Sequence, residues 1–287
     1  MSDDDLTDTT ADLSDGAGEP SAAASVAAPV SARAEDPVLV VGLGASAGGL
    51  EALREFFDRV PPTTGCAFVV VQHLSPDYKS IMDELLARNT SMPVRSAEHG
   101  VRLQPDSVYL IPPRKDLTLQ DGHLQLAEQH TDRGVHLPID LFFRSLAGDA
   151  RSRSVAIVLS GTGSDGSRGI RNVKEAGGLV LVQDPESARF DGMPVSAVRT
   201  GVPDFVLAPA GLADYLERYV NHPLVADPDS PESARLENDG GILAEIFGLL
   251  RERSGIDFSH YKPSTVARRI ERRMGINQIA DVDSYLG

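Results

Sequence analysis

Three side chains capable of hydrolytic chemistry stand where apolar runs give way to polar turns. Ser46 follows the run Val38 to Val41, in Gly42-Leu43-Gly44-Ala45-Ser46-Ala47-Gly48-Gly49, and Gly44 to Gly48 has the form G-x-S-x-G. Small neighbours let a chain bend sharply enough to lift a serine oxygen clear of a sheet. The first N–H groups of a helix that follows have no intrahelical partner and face any anion formed beside the serine. His73 follows the run Ala67 to Val71 in Val71-Gln72-His73. Asp165 follows Val155 to Leu159 in Leu159-Ser160-Gly161-Thr162-Gly163-Ser164-Asp165-Gly166. A hydroxyl, an imidazole and a carboxylate are the groups of a nucleophile, its base and the partner that orients the base.

Two alternatives compete at these positions. Gly42, Gly44 and Gly48 also spell G-x-G-x-x-x-G, a loose relative of the dinucleotide fingerprint. That fold requires an acidic residue closing the next strand, about 20 residues on, to hold a ribose hydroxyl. Here the next run ends in Gln72-His73, which disfavours a nucleotide. Asp184, after Leu179 to Val182, competes with Asp165 for the acid role. The glycines around Asp165 permit close backbone approach, whereas Asp184-Pro185 reads as an ordinary turn, so Asp165 is preferred. The chain order Ser, His, Asp differs from the Ser, Asp, His order of α/β-hydrolases and implies another fold carrying the same constellation.

The elements that must position these residues alternate in type. Val38 to Val41 precedes a helix over Leu50 to Val60, and Phe68 to Val71 precedes one around Ser80 to Arg88. Val155 to Leu159 precedes a helix near Ser167 to Ala176, Leu179 to Val182 one near Pro194 to Thr200, and Phe205 to Leu207 one over Leu212 to Val220. Such alternation predicts an α/β fold, a doubly wound, mostly parallel sheet with helices on both faces. Leu117 to Gln120, Asp121-Gly122 and His123 to Leu126 predict a two-residue hairpin, expected as an antiparallel edge of that sheet. In open α/β sheets ligands gather beyond the carboxyl ends of the strands. Each of Ser46, His73 and Asp165 falls just past a different strand candidate.

Composition narrows the class. No apolar run approaches the ~20 residues of a membrane span, and the N-terminus is acidic where a secretory signal is basic, so a soluble cytoplasmic protein is expected. The single cysteine, Cys66, excludes an internal disulfide and cysteine-based zinc clusters and reads as a small buried hydrophobe. His99, His123, His130, His136, His222 and His260 lack metal-ligand spacing, so neither metal nor cofactor is expected. Residues 1–36 hold nine acidic residues and one basic and read as a disordered acidic tail without chemistry, which argues against nucleic acid as a partner.

The blocks Gly44-Ala45-Ser46-Ala47-Gly48-Gly49, Val71-Gln72-His73, Leu159 to Gly166 and Phe190-Asp191-Gly192-Met193-Pro194, taken together and in order, resemble the catalytic domain of the chemotaxis protein-glutamate methylesterases (CheB type). The resemblance covers Pro37 to about Tyr219. It implies hydrolysis of glutamate methyl esters on chemoreceptors in two-component signalling, with release of methanol, and deamidation of receptor glutamines as a companion activity. The family's catalytic serine, histidine and aspartate fall on Ser46, His73 and Asp165. Ala47 and Thr162 stand near the implied oxyanion pocket, where the family commonly has threonine and methionine. Backbone N–H groups would tolerate these changes; side-chain roles would not. Expected partners are methylated chemoreceptor helices, with a signalling kinase or response regulator as a further one. No receiver domain precedes Pro37, so control by an attached receiver is not expected. A different class of function, a catalytically weak scaffold that binds a receptor or kinase, is the alternative.

After His222 the composition shifts. Residues 223–240 are rich in Pro, Asp, Glu and Ser and read as a linker between a 37–222 catalytic domain and a short all-α segment at 241–287. Ser254 to Lys262 and Arg268 to Met274 resemble the N-terminal helical part of the chemotaxis receptor methyltransferases (CheR type), a region that the resemblance associates with receptor docking. The chain then reads as a methylesterase–methyltransferase fusion fragment without methyltransferase activity. On a helix, Arg268 with Arg272 and Arg269 with Arg273 would form a basic face suited to an acidic helical partner.

Overall fold

The computed structural model describes Pro37 and residues 39–72, 82–129, 136–227 and 230–286. The acidic stretch 1–36, His73, Ser80, Ile81 and His130 lie outside the described residues. In chain order the first part comprises β1 (Val40–Ala45), α1 (Gly49–Phe57), β2 (Ala67–Gln72), α2 (Met82–Leu86), β3 (Val94–Ser96) and β4 (Ser107–Leu110). There follow β5 (Lys115–Gln120), β6 (His123–Glu128), α3 (Pro138–Ala150), β7 (Ser154–Val158), α4 (Gly169–Glu175), β8 (Leu179–Gln183), α5 (Gly192–Val198), β9 (Phe205–Leu207) and α6 (Pro209–Val220).

Strands buried on both faces need apolar side chains pointing both ways, which is why these runs lack polar alternation. Seven strands pair in the order β3-β4-β2-β1-β7-β8-β9, every pair parallel. Val41, Leu43, Phe68, Val70, Val155 and Ile157 point to one face, against Leu53, Phe56 and Phe57 of α1 and Leu212 and Leu216 of α6. The intervening Val40, Val69, Val71, Ala156 and Val158 point to the other, against Ile139, Phe142, Phe143 and Leu146 of α3 and Ile170 and Val173 of α4. The doubly wound parallel sheet is the architecture expected from the alternation. Cys66 is fully buried in the first of these layers, and burial pushes its thiol up to about 12, as suits a packing residue.

Gly42 and Gly44 lie inside β1, and what approaches them is α3. A Cβ on Gly44 would stand 2.4 Å from Ile139 Cγ2, and one on Gly42 2.9 Å from Phe142 Cε1. These glycines serve close helix-on-strand packing. The helix α3 and the short strands β3 and β4 have no counterpart among the sequence expectations.

The hairpin departs from expectation in its place. Asp121 and Gly122 both have positive φ, 50° and 73°, as the two-residue turn requires. Yet β5 and β6 form a separate two-stranded sheet, not an edge of the large one. Leu117, Leu119 and Leu124 bury their side chains on the α3 side of the core, and Leu119 N–H donates to Ser145 Oγ of α3 at 3.0 Å.

The stretch read as a linker is largely helical. It contains α7 (Pro223–Ala226) and α8 (Pro231–Asn238), followed by α9 (Gly240–Ser254), α10 (Pro263–Asn277) and α11 (Val282–Leu286). Pro223 and Pro231 occupy first-turn positions, Ser230 Oγ accepts from Ser233 N–H, and Asp239 Oδ1 accepts from Gly241 N–H at 2.9 Å. Residues that punctuate a linker are here helix starters.

Leu236, Ile242, Leu243, Ile246, Ile270, Met274 and Val282 build a further core. The same helices also join the sheet domain: Tyr215 Oη donates to Ile276 O at 2.7 Å, and Arg272 donates to Gly178 O and lies 3.4 Å from the buried Asp204 carboxylate. Arg272 is thereby withdrawn from the expected basic face, while Arg268, Arg269 and Arg273 remain exposed.

Asp204 also pairs with Lys174 and accepts from Val180 N–H, so losing Arg272 leaves the carboxylate partly compensated. Arg272→Ala is therefore expected to lower unfolding stability by about 1–3 kcal/mol, read as a reduced urea midpoint. An unchanged midpoint would mean that this contact does not hold α10 to the sheet domain.

Candidate active site

Helix α1, after β1, covers one face of the sheet, while α4, after β7, covers the other. Adjacent strands whose helices leave to opposite faces open a crevice at their carboxyl ends. Ser46 and the loop that carries Asp165 follow the two strands, β1 and β7, that flank this crevice. Ser46 immediately follows β1, and its N–H donates to Ser160 O, just beyond β7, at 3.0 Å. Gln72, the residue before His73, is in register with Ala45, the residue before Ser46. His73 itself lies outside the described residues.

Asp165 is buried and held from three sides. Oδ2 accepts from Ile139 N–H at 3.0 Å, and Oδ1 accepts from Asp140 and Gly166 N–H at 2.9 Å each. Two of those donors belong to the first turn of α3, whose own preceding residue, Leu137, offers no side-chain cap. Asp140 returns the arrangement: its Oδ1 accepts from Arg168 and Gly169 N–H at the start of α4. Asp165 thus caps the helix that carries Asp140, and Asp140 caps the helix that follows the Asp165 loop. Burial, reinforced by the nearby Asp165 charge, pushes the Asp140 carboxyl above its usual range, against the pull of the Gly169 N–H. Asp184, the competitor for the acid role, caps its own turn by accepting from Glu186 N–H.

The serine turn is shaped by close approaches. Ser46 O accepts from Gly49 N–H at 2.9 Å. In a trans peptide N–H and C=O point oppositely, so this bond turns the Ala47 N–H away from the helix. Neither the Ala47 nor the Thr162 N–H has an acceptor among the described residues, and Thr162 is exposed. Gly161 lies directly against the serine: a Cβ there would stand 2.9 Å from Ser46 Cβ and 2.2 Å from Met193 Sδ. Ser160 N–H donates to Gln183 Oε1 at 2.8 Å, and Gln183 Nε2 donates to Ser187. Ser160, Gln183 and Asp140 were not expected as site residues. The pattern offers only one hint, polar residues ending two otherwise apolar runs.

Residues 41–216 match the family model for the CheB methylesterase. The chain belongs to the CheB methylesterase family. Residues 242–287 match a second model, the all-alpha domain of CheR methyltransferase. The catalytic domain of the Thermotoga maritima CheB methylesterase superposes with a TM-score of 0.58 at 29% identity, covering 62% of this chain and 97% of that one. A protein-glutamate methylesterase/protein-glutamine glutaminase of Photorhabdus laumondii is 32% identical over 179 residues, 58% of this chain and 49% of its own length. An uncharacterized 104.1 kDa protein of Rhodobacter capsulatus is 42% identical over 227 residues, 71% of this chain and 23% of its own length. The chain thus spans about half of the curated methylesterase it matches and less than a quarter of the Rhodobacter protein.

Gly48 has φ of 70°, and a Cβ there would stand 2.7 Å from Ser160 Oγ. Gly201 has a similar φ of 69° with nothing within 4 Å. Gly201→Ala should cost only the left-handed backbone penalty, about 1–2 kcal/mol, and Gly48→Ala distinctly more, in paired denaturation curves. Equal losses would mean that the turn does not press on Ser160.

Proposed function

We propose that the chain is a serine hydrolase that demethylates glutamate methyl esters on chemoreceptors, with glutamine deamidation on the same site. The observation that carries this reading is the bond from Ser46 N–H to Ser160 O, which sets the Ser46 turn against the loop that leads on to the anchored Asp165, with the Ala47 and Thr162 N–H groups without an acceptor among the described residues. The methylesterase names of the family's curated members support the substrate class.

In this reading His73 takes the proton of Ser46 Oγ as the oxygen attacks the ester carbonyl carbon, and Asp165 orients the imidazole. The Ala47 and Thr162 N–H groups receive the charge that develops on the carbonyl oxygen. Collapse breaks the bond to the methoxy oxygen, which leaves as methanol with the proton from His73. Water, deprotonated by His73, then attacks the acyl-serine and releases the glutamate carboxylate and free Ser46. With a glutamine substrate the leaving group is ammonia. The reading invokes main-chain donors for the oxyanion, so it accommodates Ala47 and Thr162 where the family commonly has larger side chains. Among the described residues no helix is long and apolar enough to cross a membrane.

Methanol release from a methylated chemoreceptor preparation tests the reading. The parent protein should release methanol, and Ser46→Ala and His73→Ala should each lower the rate by about 10³-fold or more. Receptor binding without release by the parent would favour the scaffold alternative.

A further inference from the structure

Beyond the triad, the network around Ser160 bears on the same site, and this inference rests on the esterase reading above. Ser160 is 1% exposed and touches three segments at once. Its carbonyl accepts the Ser46 N–H, its N–H is held by Gln183, and its hydroxyl lies between Ala47 and Phe190. A hydroxyl has one proton to donate. Phe190 O, at 3.2 Å, already accepts from Gly161 N–H at 2.9 Å, whereas Ala47 O lies at 2.9 Å and has no other donor among the described residues. Phe190 N–H in turn donates to Ser160 Oγ at 3.0 Å. The proton therefore goes to Ala47 O.

That bond fixes the peptide plane between Ala47 and Gly48. The plane between Ser46 and Ala47 is fixed by the bond from Gly49 N–H to Ser46 O. The Ala47 N–H lies in this second plane, so Ser160 acts on it through the turn: by holding the central Ala47–Gly48 peptide it keeps Gly49 where its N–H meets Ser46 O, and that closing bond sets the N–H direction. Gly48 permits the approach, since a side chain there would collide with Ser160 Oγ.

We propose that Ser160 is a positioning residue for ester hydrolysis: its buried hydroxyl holds the central peptide of the Ser46–Gly49 turn, and the bond that closes this turn directs the Ala47 N–H at the oxyanion. It touches no reacting atom. Its removal should weaken transition-state stabilisation while leaving ground-state binding alone.

The test compares Ser160→Ala and Ser160→Cys, which remove the strong donor, with Ser160→Thr, which keeps it. On a methylated receptor preparation, kcat should fall about 10- to 100-fold in the first two with KM within about twofold of the parent, and Ser160→Thr should recover most of the loss. Independently of turnover, the Ala47 amide resonance in a ¹⁵N–¹H spectrum should shift in Ser160→Ala and Ser160→Cys and return towards the parental position in Ser160→Thr. Parental kcat in either donor-deleted variant, an effect confined to KM, or an unmoved Ala47 resonance would overturn the proposal. A parent protein without methanol release would sink the esterase reading, and the Ala47 resonance would still decide whether Ser160 holds this peptide.

Discussion

The backbone hydrogen bond from Ser46 N–H to Ser160 O, seconded by Ser160 Oγ on Ala47 O, ties together two loops that the topology would otherwise let diverge. Their strands, β1 and β7, are parallel neighbours in the sheet, but α1 and α4 lead away to opposite faces. The crevice this leaves is open by construction, and its walls keep their spacing only if something spans them. The bond works at short range because the residues around it are small. Gly48 and Gly161 admit contacts that any Cβ would obstruct, and Gly192 lets the α5 segment close against Gly163. The site's geometry is thus a consequence of backbone approach, with side chains added onto it.

The anchoring of Asp165 follows the same logic. A carboxylate in the loop after β7 could point in several directions, but the first turn of α3 supplies two N–H groups that need an acceptor. Asp165 meets that need and is immobilised by meeting it. Asp140 does the same for α4. Because α3 packs on Gly42 and Gly44 of β1, the helix that holds the acid is the one pressed against the strand that presents the serine.

Much of this was legible from pattern alone. The long apolar runs and the helices after them gave the parallel sheet, because burial on both faces leaves an unmistakable lack of alternation. Ser46 and Asp165 stood out because catalytic loops follow strand ends. The helix α3, with Ile139, Phe142, Phe143 and Leu146 at helical spacing, escapes a search for strand–helix pairs because it follows the hairpin instead of a strand of the main sheet. The strands β3 and β4 are only three and four residues long, too short for periodicity to register. Ser160 and Gln183 could not be told from ordinary strand-end residues, since burial and partner choice depend on the folded neighbours. The prolines and acids of 223–240 suit helix starts as well as they suit a linker, and only packing separates the two. That packing carries the methyltransferase-like helices onto β8 and α6 through Arg272 and Tyr215, so the two family matches meet in one folded body.

The central claim is that Ser46 is an activated nucleophile. It is tested most directly by exposing the folded protein to a fluorophosphonate ester and locating the adduct by peptide mass spectrometry. The account predicts a single adduct on Ser46 that forms in the parent protein and is lost in His73→Ala. An unlabelled Ser46, or labelling of another serine in its place, would contradict it.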